Sequence, residues 1–262
     1  MNEFLDVTIL AVLQGVAEFL PISSSGHLVI LQHVLEVPEN LRVTLEVFLH
    51  VGTLLAVFAF YARCILRTLA GLVRGRGEAW SFAGKILLSA VPAIIVFLLF
   101  HDQIEALTAN ARMVGALLMF TGAVLVGTRY LPRGTRQVDW LRAVLMGVAQ
   151  AIALLPGVSR SGMTLASARG GRVDADAAAE FSFLMSAPLI MGGLLLEVLK
   201  FAKGEVTTGG YSVGVLVWGT VLSAVVGYFS LVLLVKALKA RWFWLFGPYC
   251  IGAGLLTLCF CK

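Results

Sequence analysis

Gln14 and Glu18 stand four residues apart in an apolar stretch, and Ser23, Ser24, Ser25, Gly26 and His27 follow directly after Pro21 and Ile22. On a helix the first two share a face and aim at one point. Hydroxyls, free backbone N–H groups and an imidazole within one turn of a new helix meet the minimum for nucleophilic chemistry at an anion. His27 is suited either to take a hydroxyl proton or to protonate a leaving group. A second polar tip, Ser159, Arg160, Ser161 and Gly162, follows Pro156 and Gly157 much later in the chain. A guanidinium grips phosphate through a planar fork. A charged side chain deep in an apolar segment costs about 2.5–3.5 kcal/mol on insertion scales, so Glu18 and Arg160 both need partners. Glu18 has a cation, an arginine, water or the backbone freed by Pro21 to choose from; Arg160 has Glu18 or a phosphorylated ligand. If the two tips meet, they outline a phosphate site with a nucleophile, a base and a clamp.

The two tips sit in imperfect copies of one pattern. Residues 11–28 read AVLQGVAEFLPISSSGHL, and residues 143–164 read AVLMGVAQAIALLPGVSRSGMT. Each is an apolar helix-like run, then Leu-Pro, then a small polar turn. Proline and glycine stop a helix, and irregular backbone inside a bilayer persists only where protein or a wet cavity satisfies its polar groups. A break that occurs in both halves therefore marks a binding site. The alternative is that 7–20 and 144–155 are ends of ordinary crossings and the Ser-Gly pairs are packing notches. Both runs are short for a full span.

Composition sets the class. The chain has 262 residues, 59% of them hydrophobic and 13% charged, with mean hydropathy +0.93. That is far too apolar for a soluble domain of this length and predicts a polytopic membrane protein. The formal charge of +5 lies mostly in a few connections, and no basic patch interleaves with aromatics, so nucleic acid is not an expected partner. Cys64, Cys250, Cys259 and Cys261 lack metal or disulfide spacing and read as packing residues. Glu3 and Asp6 sit where a signal peptide needs positive charge, so the N-terminus is expected to be retained.

Apolar runs near 43–61, 81–100, 112–130, 179–200, 212–235 and 242–260 predict six crossings. Arg63, Arg67, Arg74 and Arg76, then Arg129, Arg133, Arg136 and Arg142, then Lys236, Lys239 and Arg241 mark cytoplasmic connections. The loop with His101, Asp102 and Glu105 and the weakly charged 200–211 connection fall outside. Strict alternation then makes each copied segment enter and leave on one face, the first from outside and the second from the cytoplasm. The expected fold is all-α, with six transmembrane helices and two re-entrant helical hairpins in an inverted-topology repeat. A single integral domain, 1–262, divides into repeats 1–130 (hairpin about 7–36) and 131–262 (hairpin about 143–173). Residues 72–79 and 170–174 read as linkers, Asp174 being placed to cap the next helix.

The segment EFLPISSSGH from Glu18 to His27 and PGVSRSG from Pro156 to Gly162 resemble the two signature motifs of the bacterial undecaprenyl-diphosphate phosphatase family, linked to bacitracin resistance. The resemblance runs the full length and includes FSFLMSAP from Phe181 to Pro188. It implies an enzyme of the bacterial plasma membrane that removes the terminal phosphate from a C55 isoprenyl diphosphate and returns the monophosphate carrier to peptidoglycan synthesis. It further implies Ser24 as nucleophile, His27 as acid or base, Glu18 as an activating or metal-associated carboxylate and Arg160 as phosphate clamp. Gln14, Ser23, Ser25, Gly26, Ser159, Ser161 and Gly162 would contact the substrate. A site open to the extracytoplasmic side and dependence on magnesium or calcium are implied as well. Where many members carry glutamate four residues before Glu18, this chain has Gln14, whose amide carbonyl still coordinates an ion but brings one fewer negative charge. The expected partners are the lipid diphosphate and the bilayer, and the reading admits a homodimer.

Inverted repeats also serve carriers, so a transporter or flippase for an anionic or lipid-linked substrate is the second reading. A serine and histidine beside Glu18 favour the enzyme, because binding alone does not call for a nucleophile and base together. Glu46 and His50 share a helix face near the outer end of the first crossing, which puts them within reach of the cavity mouth, though interfacial snorkelling is the preferred reading. Arg169 and Arg172 read as cytoplasmic anchors, and Trp242 with Trp244 as an interfacial belt.

Overall fold

The computed structural model describes residues 3–108, 110–202 and 211–260. Among them the structure is helical throughout, with a lone β-bridge between Arg136 and Val173. In chain order the helices are α1 (Glu3–Ala17), α2 (Ser24–Val34), α3 (Glu39–Phe60), α4 (Ala62–Val73), α5 (Gly77–Thr108), α6 (Ala111–Gly127), α7 (Trp140–Ile152), α8 (Arg160–Gly170), α9 (Ala175–Ala202), α10 (Val213–Lys239) and α11 (Phe246–Phe260). Four stretches, Gly77–Ile104, Ala111–Tyr130, Ala175–Leu196 and Val213–Lys239, are long and apolar enough to cross a membrane. The bent pair Thr44–Phe60 and Ala62–Val73, turned by 72°, raises the number to five if read as one span. The chain is thus a multi-pass membrane protein.

Two expected crossings take a different form. The run 43–61 ends at Tyr61, where the chain turns sharply into α4, a segment that reads as a basic loop in the sequence. Arg63 and Arg67 lie one turn apart on α4, while Leu66, Leu69 and Val73 remain exposed, the pattern of a helix lying in a membrane interface. The run 242–260 is divided into a short 3-10 turn, Phe243–Leu245, and the shorter helix α11. The 203–210 part of the expected outer connection, and Cys261, lie outside the described residues. Cys64 and Cys250 are buried as expected, whereas Cys259 is exposed.

Glycines set the closest helix contacts. Against α11, α6 presents Gly115 and Gly122 to Gly254 and Gly247. A β-carbon on Gly254 would stand 2.4 Å from the Gly115 carbonyl oxygen, so these backbones meet as small-residue stripes do in bilayers, where packing rather than water exclusion drives association. Elsewhere α1 packs on α10, α7 on α5, and α3 on α10. The largest core, around Phe19, Phe181, Phe183 and Phe243, fills the space between the ends of the two broken segments and the basic end of the molecule.

That basic end is built from connections that the sequence marks as cytoplasmic. Arg133, Arg169, Lys239 and Arg241 line one cleft, and Arg67 and Arg76 line another beside Glu180. Asp174 caps α9 through Oδ1, which accepts from the amides of Asp176 and Ala177.

Candidate active site

Each broken segment ends in a helix whose first residues form a site wall. After α1 the helical pattern persists, with Glu18 N–H donating to Gln14 C=O at 2.9 Å and Leu20 N–H to Val16 C=O at 3.1 Å. Pro21 then ends it, having no N–H to continue the ladder. Ser23 takes a positive φ of 69° and caps α2, its Oγ lying 3.5 Å from the Gly26 amide. A non-glycine residue in that region is strained and persists only where its surroundings fix it. The second break mirrors these steps. Gly157 supplies the positive φ, 93°, and Ser159 caps α8 by accepting from the Gly162 amide at 3.1 Å. Only glycine fits at 157, where a β-carbon would stand 2.5 Å from the Val114 carbonyl oxygen.

The two tips touch. A β-carbon on Gly26 would be 3.5 Å from the Gly157 α-carbon, and one on Gly162 would be 3.4 Å from the Pro21 β-carbon. Cys250 on α11 donates to the Pro21 carbonyl at 3.3 Å. Thr121 on α6 braces the other tip, donating to Gly157 C=O and accepting from Ser159 N–H, both at 3.2 Å.

Across this junction Arg160 Nη2 donates to Glu18 Oε1 at 2.5 Å, joining side chains 142 positions apart. Glu18 Oε2 accepts from Ser24 Oγ at 2.7 Å and from Gln14 Nε2 at 3.2 Å. Gln14 and Glu18 are buried, and Arg160 is 17% exposed at its side chain. Two polar atoms here are buried without partners, Arg160 Nη1 and Gln14 Oε1. A buried donor and a buried acceptor left unmade cost roughly 1–3 kcal/mol each, which marks them as groups awaiting a ligand.

His27 lies at the edge of the same tip. Its Nδ1 is 2.8 Å from the Ser23 carbonyl oxygen, which only accepts, so Nδ1 carries the proton. Nε2, 2.8 Å from Tyr249 Oη, then accepts from that hydroxyl, and the two rings stack with centroids 5.7 Å apart. Ser24, by contrast, gives its hydrogen bond to Glu18. Ser25 is exposed and lies 3.4 Å from Ser23 Oγ, while Ser159 and Ser161 are buried with their hydroxyls 3.2 Å apart.

The structure therefore brings Gln14, Glu18, Ser23, Ser24, Gly26 and His27 together with Ser159, Arg160, Ser161 and Gly162. It also decides one reading and adds residues. His50 takes the cavity side of its two readings: its Nε2 is 3.7 Å from Glu18 Oε2, and its Nδ1 faces the Glu46 carbonyl at 2.8 Å. Sequence reasoning missed Thr121 and Tyr249, since a threonine or tyrosine in an apolar run gives no sign of the face it occupies.

Among the described residues no group of three His, Cys, Asp or Glu side chains is placed to hold a metal. Gln14 Oε1, buried without a partner, and the Glu18 carboxylate are the hard oxygens a magnesium or calcium ion would use here, and they suffice only when the ligand adds further oxygens.

Residues 7–256 match the family model described as bacitracin resistance protein BacA. An undecaprenyl-diphosphatase of Desulforapulum autotrophicum is 34% identical over 268 residues, covering 95% of each chain. One of Salinibacter ruber is 35% identical over 266 residues, covering 97% of each. One of Thermotoga maritima is 33% identical over 252 residues, covering 95% of this chain and 97% of that protein.

Proposed function

The chain belongs to the BacA family of bacitracin resistance proteins, and from that premise we propose that it is an undecaprenyl-diphosphatase, hydrolysing undecaprenyl diphosphate to undecaprenyl phosphate and inorganic phosphate. The observation that carries the residue assignment is the chain Ser24–Glu18–Arg160, which links a hydroxyl, a carboxylate and a guanidinium across two separate broken segments.

Ser24 Oγ attacks the terminal phosphorus and passes its proton to Glu18 Oε2, already its hydrogen-bond acceptor at 2.7 Å. The bond to the bridging oxygen breaks, and undecaprenyl phosphate leaves. Glu18 gives that proton to the departing phosphate, then accepts one from the water that attacks the phosphoserine and returns it to Ser24 Oγ as inorganic phosphate is released. Arg160 offers the unpartnered Nη1 to the phosphoryl oxygens, and the N-termini of α2 and α8 turn their free amides toward the same charge. Since Ser24 already has its acceptor, His27 is assigned to the leaving-group side, where Tyr249 holds its ring. A divalent cation, magnesium or calcium, fits the Gln14 and Glu18 oxygens and when bound would offset the charge of the diphosphate.

For topology the reading is six crossings and two re-entrant hairpins in an inverted repeat. Support comes from the packing: α1 lies on α10 as α7 lies on α5, while the third members, α6 and α11, lie on each other. The basic connections would face the cytoplasm and the Ser24 tip would open outward, in a bacterial plasma membrane.

The test is phosphate release from C55 isoprenyl diphosphate by the purified wild type, Ser24→Ala and Arg160→Ala, each checked for intact folding. Activity lost in both variants supports the assignment, and a ³²P-labelled Ser24 trapped during turnover fixes the covalent route. A wild type that releases no phosphate yet moves labelled substrate across vesicles would overturn it in favour of a carrier.

A further inference from the structure

The cleft at the basic end, about 300 Å³ in volume, is lined by Arg133, Arg169, Lys239 and Arg241 and floored by Leu165 and Leu238. Its charges are poorly matched. Lys239 Nζ is held by Asp176 at 2.8 Å, and Asp174, the carboxylate in the lining, caps α9. Among the described residues none of the three arginines pairs with a carboxylate: Arg241 reaches the Leu131 carbonyl at 3.4 Å, and Arg169 has a buried Nε with no hydrogen-bond partner. Arg133 and Arg241 both repel Arg169. Arg169 is half-buried and Arg133 and Arg241 are exposed beside it; cations gathered around a partly desolvated guanidinium call for an anion, and arginine's fork suits phosphate best.

The cleft is also preformed. Arg136 and Thr135 amides donate to Arg172 C=O and the Asp174 amide donates to Arg136 C=O, so its wall is pinned by the lone β-bridge. Exposed Trp242, and Trp244 stacked under Arg129 at 4.6 Å, give this end the aromatic pattern of a bilayer's headgroup level. The buried leucine floor gives the arginines an apolar backing such as a lipid tail provides. Arg169 follows Arg160 by nine positions on α8, about 14 Å along the axis, so this cleft is separate from the Glu18 tip.

We propose that the Arg133–Arg169–Arg241 cleft is a second phosphate-binding site, separate from the catalytic tip, that takes the phosphate of a lipid headgroup or free phosphate. It does not depend on the phosphatase reading.

The test is thermal unfolding of the full chain in a neutral detergent at fixed ionic strength, titrated in separate arms with dioleoyl phosphatidic acid and with inorganic phosphate. Wild type and the doubly neutralised Glu18→Gln, Arg160→Gln variant, which leaves no buried charge unpaired, are both expected to shift upward and saturate, which separates this cleft from the catalytic tip. Stabilisation by phosphatidic acid alone identifies the lipid headgroup as the source; stabilisation by both shows that phosphate suffices. The half-saturating concentration should rise at least tenfold in the Arg169→Gln, Arg241→Gln variant. Arg169→Lys keeps the charge but loses the fork, and should show a smaller rise in the same direction. No saturable shift in either arm, or a shift that survives in the Gln variant and in Arg169→Lys unchanged, would overturn the proposal.

Discussion

Arg160→Lys separates the two jobs that the structure gives one guanidinium. Nη2 bonds Glu18 at 2.5 Å and holds the two tips together, while Nη1 is buried with no partner. A lysine ammonium keeps the charge that Glu18 needs, so the tips should stay joined and the protein should fold. Its single nitrogen, however, cannot span the two directions that the fork serves. What is lost is one charge-assisted hydrogen bond to phosphate, worth about 1.5–3 kcal/mol. At about 1.36 kcal/mol per tenfold, kcat/KM for phosphate release should fall roughly 10- to 160-fold. Arg160→Gln is a poorer probe, because it leaves the Glu18 carboxylate buried and unpaired, a loss of about 3–5 kcal/mol in stability. The assay is phosphate release from C55 isoprenyl diphosphate in detergent, with melting temperatures measured alongside. A Lys variant within threefold of wild type would refute the assignment of Nη1 to phosphate. A Lys variant that fails to fold would refute the claim that charge alone holds the tips.

Tyr249→Phe keeps the stacked ring but removes the hydroxyl that Nε2 of His27 accepts from, so kcat/KM should fall about fivefold, for a hydrogen bond worth about 1 kcal/mol. A fall as large as that of His27→Ala would show that the hydroxyl itself is essential. Gln14→Glu places a second carboxylate beside Glu18 and should lower the magnesium concentration for half-maximal activity; an unchanged titration would exclude Gln14 as a ligand of the proposed ion. Gly254→Val forces side-chain atoms into the Gly115 carbonyl and Met119, so the melting temperature should drop by several degrees, for an overpacking cost of about 1–3 kcal/mol. Retained stability would mean that α6 and α11 have room to part.

Much of the site was legible because its signals are local and chemically out of place. Glu18, Ser24 and Arg160 are polar groups in apolar runs, and Pro21 and Pro156 mark where each helix stops. Position along the chain gives depth and not azimuth, which is why His50 reads as an interfacial residue and yet turns to Glu18 at 3.7 Å. Tyr249 and Thr121 carry no sequence signal at all, because their roles arise only when α11 and α6 pack beside the tips. Helix α4 was hidden for another reason: Arg63 and Arg67 are as compatible with a cytoplasmic loop as with the polar face of an interfacial helix. What separates the two is the bend of 72° after α3 together with the exposure of Leu66, Leu69 and Val73.

The ion pair between Glu18 and Arg160 explains how two costly buried charges coexist with a site that must receive a polyanion. Without ligand each neutralises the other, which is what a low-dielectric setting demands. In the proposed reaction a diphosphate is gripped by Nη1, the prong that has no partner, while Nη2 keeps its bond to Glu18, so the tips stay joined as the ligand enters. Glu18 Oε2 meanwhile keeps Ser24 and Gln14 as hydrogen-bond donors, and the serine hydroxyl is its nearest proton source. Carrying the carboxylate and the guanidinium on separate segments lets each be held by its own tip, braced by Thr121 on one side and Cys250 on the other.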